Sequence, residues 1–201
     1  MSILPIGCRS VPKVSGVKQF SDAGVVLAAG AGTRFGMPKV LADTGQWLAS
    51  AVAALADGGC RDVAVVLGAA VDGVGIPAPA RAVVAHDWAD GLSASVRAGL
   101  LSLGDADRGR VDHAVFLPVD TPDVTAAVVR RVLTASRRTG LARAGYAGRP
   151  GHPVVIARKH WPALLDTLDG DEGAAPFLRS RDDVVTVDCS DLCSGVDIDR
   201  R

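Results

Sequence analysis

The sequence predicts a three-layer α/β fold with a mostly parallel, Rossmann-like sheet, and three observations carry that expectation. Val-rich runs of four to six residues recur along the chain, Ala- and Leu-rich stretches with helical spacing lie between them, and a Gly-rich loop follows the first run. Short continuous apolar runs are how strands buried on both faces read, and their alternation with helices implies a parallel sheet covered on both sides.

Taken in order, residues 1–22 read as a leader outside the alternation, and residues 23–201 as a single domain. The opening MSILPIGCRSVPKVSG has no basic segment followed by a long apolar one, so a secretory signal is not expected and the protein is placed in the cytoplasm. Strands are expected at Val25–Ala28, Val63–Leu67, Ala82–Ala85, Ala114–Leu117, Val154–Ala157 and Val184–Val187. Helices are expected at Trp47–Leu55, Ser93–Leu103 and Val124–Arg138. Thr121 before Pro122 fits an N-cap with proline at the first helical position, which starts the third helix just after Asp120 and leaves Asp120 at a strand's carboxyl end. Segments Gly104–Arg110 and Gly145–Gly151, rich in Gly and charge, read as surface loops.

Bulk composition excludes several classes. A chain of 201 residues, 48% hydrophobic, is sized for one domain with a substantial core. Its 22 basic and 22 acidic residues cancel, and no basic run interleaved with aromatics offers a nucleic-acid footprint. The longest apolar stretch, Val63–Val71, is far short of the roughly 20 residues of a membrane span. Cys8, Cys60, Cys189 and Cys193 form neither a CxxC motif nor a four-ligand zinc pattern, and read as reduced thiols.

In an open α/β sheet, ligands bind beyond the carboxyl ends of the strands, so the loops after strands are the ones to search. Leu27–Lys39, LAAGAGTRFGMPK, follows the first strand. Gly30, Gly32 and Gly36 let backbone N–H groups approach an anion closely, and Arg34 and Lys39 add a planar guanidinium and a movable point charge suited to a triphosphate. A dinucleotide site would want an acidic residue closing the second strand, where Gly68-Ala69-Ala70 stands instead; a P-loop would want Ser or Thr after the lysine, where Val40 stands. Asp120, at the end of an apolar strand facing the same crevice, is a natural Mg²⁺ ligand, and as a carboxylate before a helix it would also serve as a cap. Alternation in Val196-Asp197-Ile198-Asp199 puts two more carboxylates on one side of a short strand.

The loop resembles the signature LAAGxSxRMGxPK of the MobA-like nucleotidyltransferases, which add CMP or GMP to molybdopterin cofactors. The resemblance implies a fold of the nucleotide-diphospho-sugar transferase type, with Leu27, Ala28, Ala29, Gly30, Gly32, Thr33 and Gly36 around the nucleotide and Arg34 and Lys39 on its triphosphate. Gly32 replaces the usual serine and Phe35 the usual methionine. Leu117-Pro118-Val119-Asp120-Thr121-Pro122 is similar to the family's DxP motif, whose aspartate binds the metal. Val196–Asp199 is similar to the DIDTPED ending of the cytidylyltransferase branch, which implies Asp197 as a second metal ligand; the likeness stops after Asp199, and the usual final helix is not expected. Asp87–Leu100 resembles NPDWAEGMSSSLRAGL, with Ser95 toward the base and Ala85 at a position where asparagine is usual.

Gly148–Pro153 and Gly170–Ala174 resemble the GRRGHP and GDxGAR elements and imply His152 and Asp171 on the acceptor side. Ala29 matches the LAAG of the cytidylyltransferase branch against the LAGG of the guanylyltransferases. The activity implied is Mg²⁺-dependent transfer of CMP from CTP to a phosphorylated molybdopterin-type cofactor with release of pyrophosphate, and a molybdoenzyme as partner. Three alternatives stay open: another small phosphate acceptor, a delivery protein that carries a nucleotide-bearing cofactor without catalysis, and a nicotinamide oxidoreductase.

Overall fold

The structure, a computed structural model, describes residues 20–104 and 110–199. It is built on one seven-stranded sheet of order β3-β2-β1-β4-β6-β5-β7. The strands are β1 (Asp22–Leu27), β2 (Asp62–Leu67), β3 (Arg81–Val84), β4 (His113–Pro118), β5 (Leu141–Tyr146), β6 (Arg149–Ala157) and β7 (Val185–Asp188). The sheet is mostly parallel; β6 runs antiparallel to both its neighbours, β4 and β5.

Among the described residues, five α-helices cover it: α1 (Gln46–Asp57), α2 (Leu92–Ser102), α3 (Ala126–Ser136), α4 (Trp161–Thr167) and α5 (Ala175–Arg179). The central strands β1, β2 and β4 are buried along nearly their whole length because each face meets a helical layer, whereas the edge strands β3 and β7 are partly exposed. Along β1 and just beyond it, Val26 and Ala28 pack with α1 and α3, while Ala23, Val25, Leu27 and Ala29 pack with α2, α4 and α5. β4 divides the same way, Val115 and Leu117 to one core and Ala114 and Phe116 to the other. No helix among the described residues is long and apolar enough to cross a membrane.

Several boundaries differ from the sequence reading. β1 begins at Asp22, inside the expected leader, and Phe20 before it already packs edge-on against His113 with Arg137 over its ring. The remainder of the leader, and the middle of the expected loop 104–110, lie outside the described residues. α3 starts at Ala126 after an extended Thr125, not after Asp120. Thr121 does not cap it: the Thr121 hydroxyl donates back to the carbonyl of Pro118 at 3.0 Å and holds an extra turn between strand and helix.

Gly145–Gly151 is no loop. It contains a β5–β6 hairpin turn whose central residues, Ala147 and Gly148, have φ of 48° and 77°, the left-handed pair that a tight hairpin with right-twisted strands demands. Val196–Asp199 forms no strand and is tied to the β4 side by a single backbone bond, Ile198 N–H to the carbonyl of Asp120 at 3.0 Å.

The strand order places a switch point between β1 and β4: the chain leaves β1 toward β2 and β3, then returns to β4 on the other side. Crossovers that diverge in this way open a crevice at the carboxyl edge of the sheet. The loops after β1 and β4 are its two lips.

Candidate functional site

A cleft of about 610 Å³ opens at that switch point. Leu27, Ala28, Ala29, Gly30, Gly32, Thr33, Arg34, Lys39, Ser95, Asp120, His152, Asp171 and Asp197 all line it, although they come from segments spread from residue 27 to residue 197. Gly36 does not. Its amide and that of Phe35 both donate to the carbonyl of Gly32, at 2.8 and 3.0 Å, which turns this end of the loop in on itself. The buried Phe35 ring then packs against Trp47, with centroids 5.3 Å apart, and anchors the turn to α1.

Gly32 explains why this loop departs from the serine pattern. It sits at φ +63°, and a Cβ there would stand 1.9 Å from the carbonyl oxygen of Met37. Only glycine fits this path. Before the turn, the successive amides of residues 30–34 make no hydrogen bond to a described residue. A run of uncommitted N–H groups beside a cleft is a ready cradle for an anion. Arg34 at its end is exposed and has no ion pair among the described residues.

Opposite the cradle is a charge cluster. The Lys39 ammonium donates to Asp120 Oδ2 and to Asp199 Oδ1, both at 2.8 Å. Burial works against the charge on Lys39, but the hydrogen bonds and fields of these two carboxylates outweigh it and raise the pKa. Asp197 is pushed up from the usual carboxylate value, first by burial and then by repulsion from Asp120 and Asp199, with Lys39 only partly compensating. Three carboxylates thus share one ammonium. Asp120 Oδ1 is buried with no hydrogen-bond partner.

An unsatisfied buried carboxylate oxygen beside surplus negative charge fits a hard divalent cation. The described residues hold no closed set of three acidic, His or Cys ligands for an ion.

The remaining wall comes from α2, from β6 itself and from the segments after β3 and α4. Ser95 is buried and faces the cleft, whereas Ser93 neither caps α2 nor reaches it, donating instead to the carbonyl of Asp169 at 2.8 Å. Gly91, with φ +112°, precedes α2; a Cβ there would meet Gly170 O at 2.5 Å and Asp171 Oδ1 at 2.6 Å. The turn Gly170–Glu172 therefore rests directly on the helix start and aims Asp171 at the cleft.

Ala85 is buried in the core beside α2 and is not part of the lining, so no side chain there replaces the usual asparagine. His152 faces the cleft near Asp120. Loss of solvent around the ring pushes its pKa down to about 4 against the pull of that carboxylate, so the imidazole is neutral at pH 7. Its carbonyl accepts from the Tyr146 hydroxyl at 2.7 Å.

Sequence reasoning undervalued three of the lining residues. Trp88 and Leu92 put apolar surface on the wall that carries Ser95, and the aromatic in Asp87-Trp88-Ala89-Asp90 was a usable signal. Asp199 is the second partner of Lys39, although the resemblance pointed only to Asp197.

Similar proteins extend the picture. The chain is 38% identical over 190 residues to nicotine blue oxidoreductase of Paenarthrobacter nicotinovorans, covering 88% of this chain and 91% of that protein. It is 27% identical to Rv0371c of Mycobacterium tuberculosis H37Rv, whose crystal structure superposes with a TM-score of 0.73 over 90% of this chain and 94% of that one. A structure of Rv0371c in complex with manganese matches with a TM-score of 0.62 at 23% identity, covering 84% and 88% of the two chains. The family model of the MobA-like NTP transferase domain matches residues 24–184, and the chain belongs to that family.

Proposed function

We propose that the cleft binds a nucleoside triphosphate together with a divalent cation and transfers the nucleoside monophosphate to a phosphate group on a small acceptor, releasing pyrophosphate. The observation that carries this reading is the meeting, across one switch point, of an uncommitted amide cradle with the Lys39–Asp120–Asp197–Asp199 cluster and its unpartnered oxygen. The manganese complex of Rv0371c supports the cation. Bound Mg²⁺ would sit on Asp120 and Asp197 and neutralise developing charge on the phosphates.

The protein's own part is positioning and charge. The amides of residues 30–34 hold the phosphates, Arg34 closes on them from the exposed side, and Lys39 exchanges Asp199 for a phosphate oxygen. Ser95 meets the base. The neutral His152 donates a ring N–H to the acceptor phosphate and orients it for in-line attack, and Asp171 faces the rest of the acceptor; no protein nucleophile is required.

CTP is the nucleotide and a phosphorylated molybdopterin-type cofactor the acceptor that the loop and acceptor-side motifs select, with Mg²⁺ as the working ion and a molybdoenzyme as the recipient of the product. Ala29 is buried at the cleft lining, and in this reading its methyl crowds a purine and favours cytosine. Pyrophosphate release measured with CTP and GTP in competition, against a panel of phosphorylated pterins, sugars and polyols, tests both selections. Faster use of GTP sinks the Ala29 argument, and preference for a sugar or polyol phosphate sinks the pterin.

A second reading follows from the relative named nicotine blue oxidoreductase. The same cleft, walled by Trp88, Leu27, Ala29 and Leu92, would take a flat aromatic substrate for redox chemistry. Turnover of an aromatic dye with a nicotinamide donor, undiminished by Asp120→Asn, would establish it over nucleotidyl transfer.

A further inference from the structure

Asp120 and Asp197 are 77 residues apart, and something must hold the segment after β7 against the β4 loop. Two anchors do. The second is the bond from Ile198 N–H to the Asp120 carbonyl. The first is Asp123, outside the cleft on the same loop as Asp120. Its Oδ2 accepts from the Ser194 amide at 2.8 Å, the Ser194 hydroxyl at 2.6 Å and the Gly195 amide at 3.1 Å, while its Oδ1 is buried without a partner.

A carboxylate kept here at the cost of an orphaned oxygen is committed to that turn. The turn itself is wedged in place: Gly195 lies at φ +60° against the Tyr146 ring, where a Cβ would stand 2.1 Å from a ring carbon. The Cys193 thiol donates to the hydroxyl of the same tyrosine, 3.6 Å away. Asp197 stands between the two anchors.

We infer that Asp123 is a positioning residue for the cation site: by clamping Ser194 and Gly195 it sets Asp197 and Asp199 against Asp120. One loop thereby places both proposed ligands, Asp120 directly and Asp197 through the clamp. The inference rests on the reading that Asp120 and Asp197 share a divalent ion.

The test pairs two measurements on the full-length protein. Amide exchange followed by NMR reads the strap, and Mn²⁺ titration followed by electron paramagnetic resonance, with and without CTP, reads the site. Asp123→Ala should expose the amides of Ser194, Gly195 and Ile198 and weaken Mn²⁺ binding about 10- to 100-fold, as loss of a ligand's support does. Gly195→Ala, which leaves every carboxylate in place but pushes the turn off Tyr146, should weaken it similarly. Asp123→Asn keeps a carbonyl oxygen for the two amides and should lie within a few-fold of the parent.

Unchanged Mn²⁺ affinity in both Asp123→Ala and Gly195→Ala, or full amide protection in Asp123→Ala, overturns the assignment alone. If the parent protein itself binds no Mn²⁺ with or without CTP, the cation reading fails and the assignment falls with it.

Discussion

Lys39 sits where a competing cation would, and replacing it by methionine should separate binding of the ion from chemistry. Its ammonium bonds Asp120 and Asp199 at 2.8 Å each, from side chains 15%, 20% and 57% exposed. The shielded bond to Asp120 is worth about 1.5–3 kcal/mol, as for a hydrogen bond between charged groups. The more exposed one to Asp199 adds less than about 1 kcal/mol. Without added metal, Lys39→Met should therefore lose about 2–3 kcal/mol, or roughly 5–10 °C in melting temperature for a chain of this size.

The effect on the ion runs the other way. A unit charge and a divalent ion about 4 Å apart repel by about 2 kcal/mol even in water, so its removal should tighten Mn²⁺ binding about tenfold or more in the absence of nucleotide. Turnover, which needs the ammonium on the phosphates, should fall about 10²–10³-fold, as loss of one charge-stabilising donor does. Calorimetric Mn²⁺ titration alongside pyrophosphate release reads both. Weaker Mn²⁺ binding in Lys39→Met, or turnover within threefold of the parent, would refute the arrangement.

Further outcomes follow from other parts of the site and core. Asp197 has a folded pKa above its ordinary value, so between the two values the folded state holds the extra proton. Stability without metal should thus decline as pH rises through the raised value, while Mn²⁺ affinity should fall on acidification already above the ordinary carboxylate range. Asp197→Asn should flatten both profiles. Gly91→Ala would drive a methyl into Gly170 and Asp171, and should cut use of the acceptor, seen as a raised acceptor KM, with nucleotide binding changed far less.

Asp22 is buried at the far end of the sheet, where burial would raise its pKa but bonds from His113 and Arg137 and the charge of Arg137 lower it. Asp22→Asn should cost about 2–4 kcal/mol in denaturant unfolding at neutral pH. The deficit relative to the parent should vanish as pH falls through the lowered carboxylate value, because protonation removes the same charge from the parent.

The cleft was legible because its chemistry is carried by residue types with few other uses in those places: glycines and cations directly after a strand, and an aspartate at the end of another. What stayed hidden depends on distant partners. Lys39 read as a charge held for phosphate, and nothing local shows that it pairs with carboxylates 81 and 160 residues away. Thr121-Pro122 carries the same signal for a helix cap as for the turn it makes. β5, LARAGY, lacks the β-branched residues that mark the other strands, and its edge-to-edge fit between β6 and β7 stabilises it regardless of propensity. Gly36 matched the motif, yet its amide is consumed by Gly32 within the loop. The alternation of Asp197 and Asp199 suggested a strand; both carboxylates do face the cleft, but the segment is held by Asp123 and Ile198 instead of by a ladder.

The most direct test of the central claim is a crystal structure with CTP and Mn²⁺, the ion located by its anomalous signal. The account predicts the ion on Asp120 Oδ1 and Asp197, the triphosphate against the amides of residues 30–34, and Lys39 turned from Asp199 to a phosphate oxygen. An ion that avoids Asp120, or a nucleotide bound anywhere but in this cleft, would contradict it.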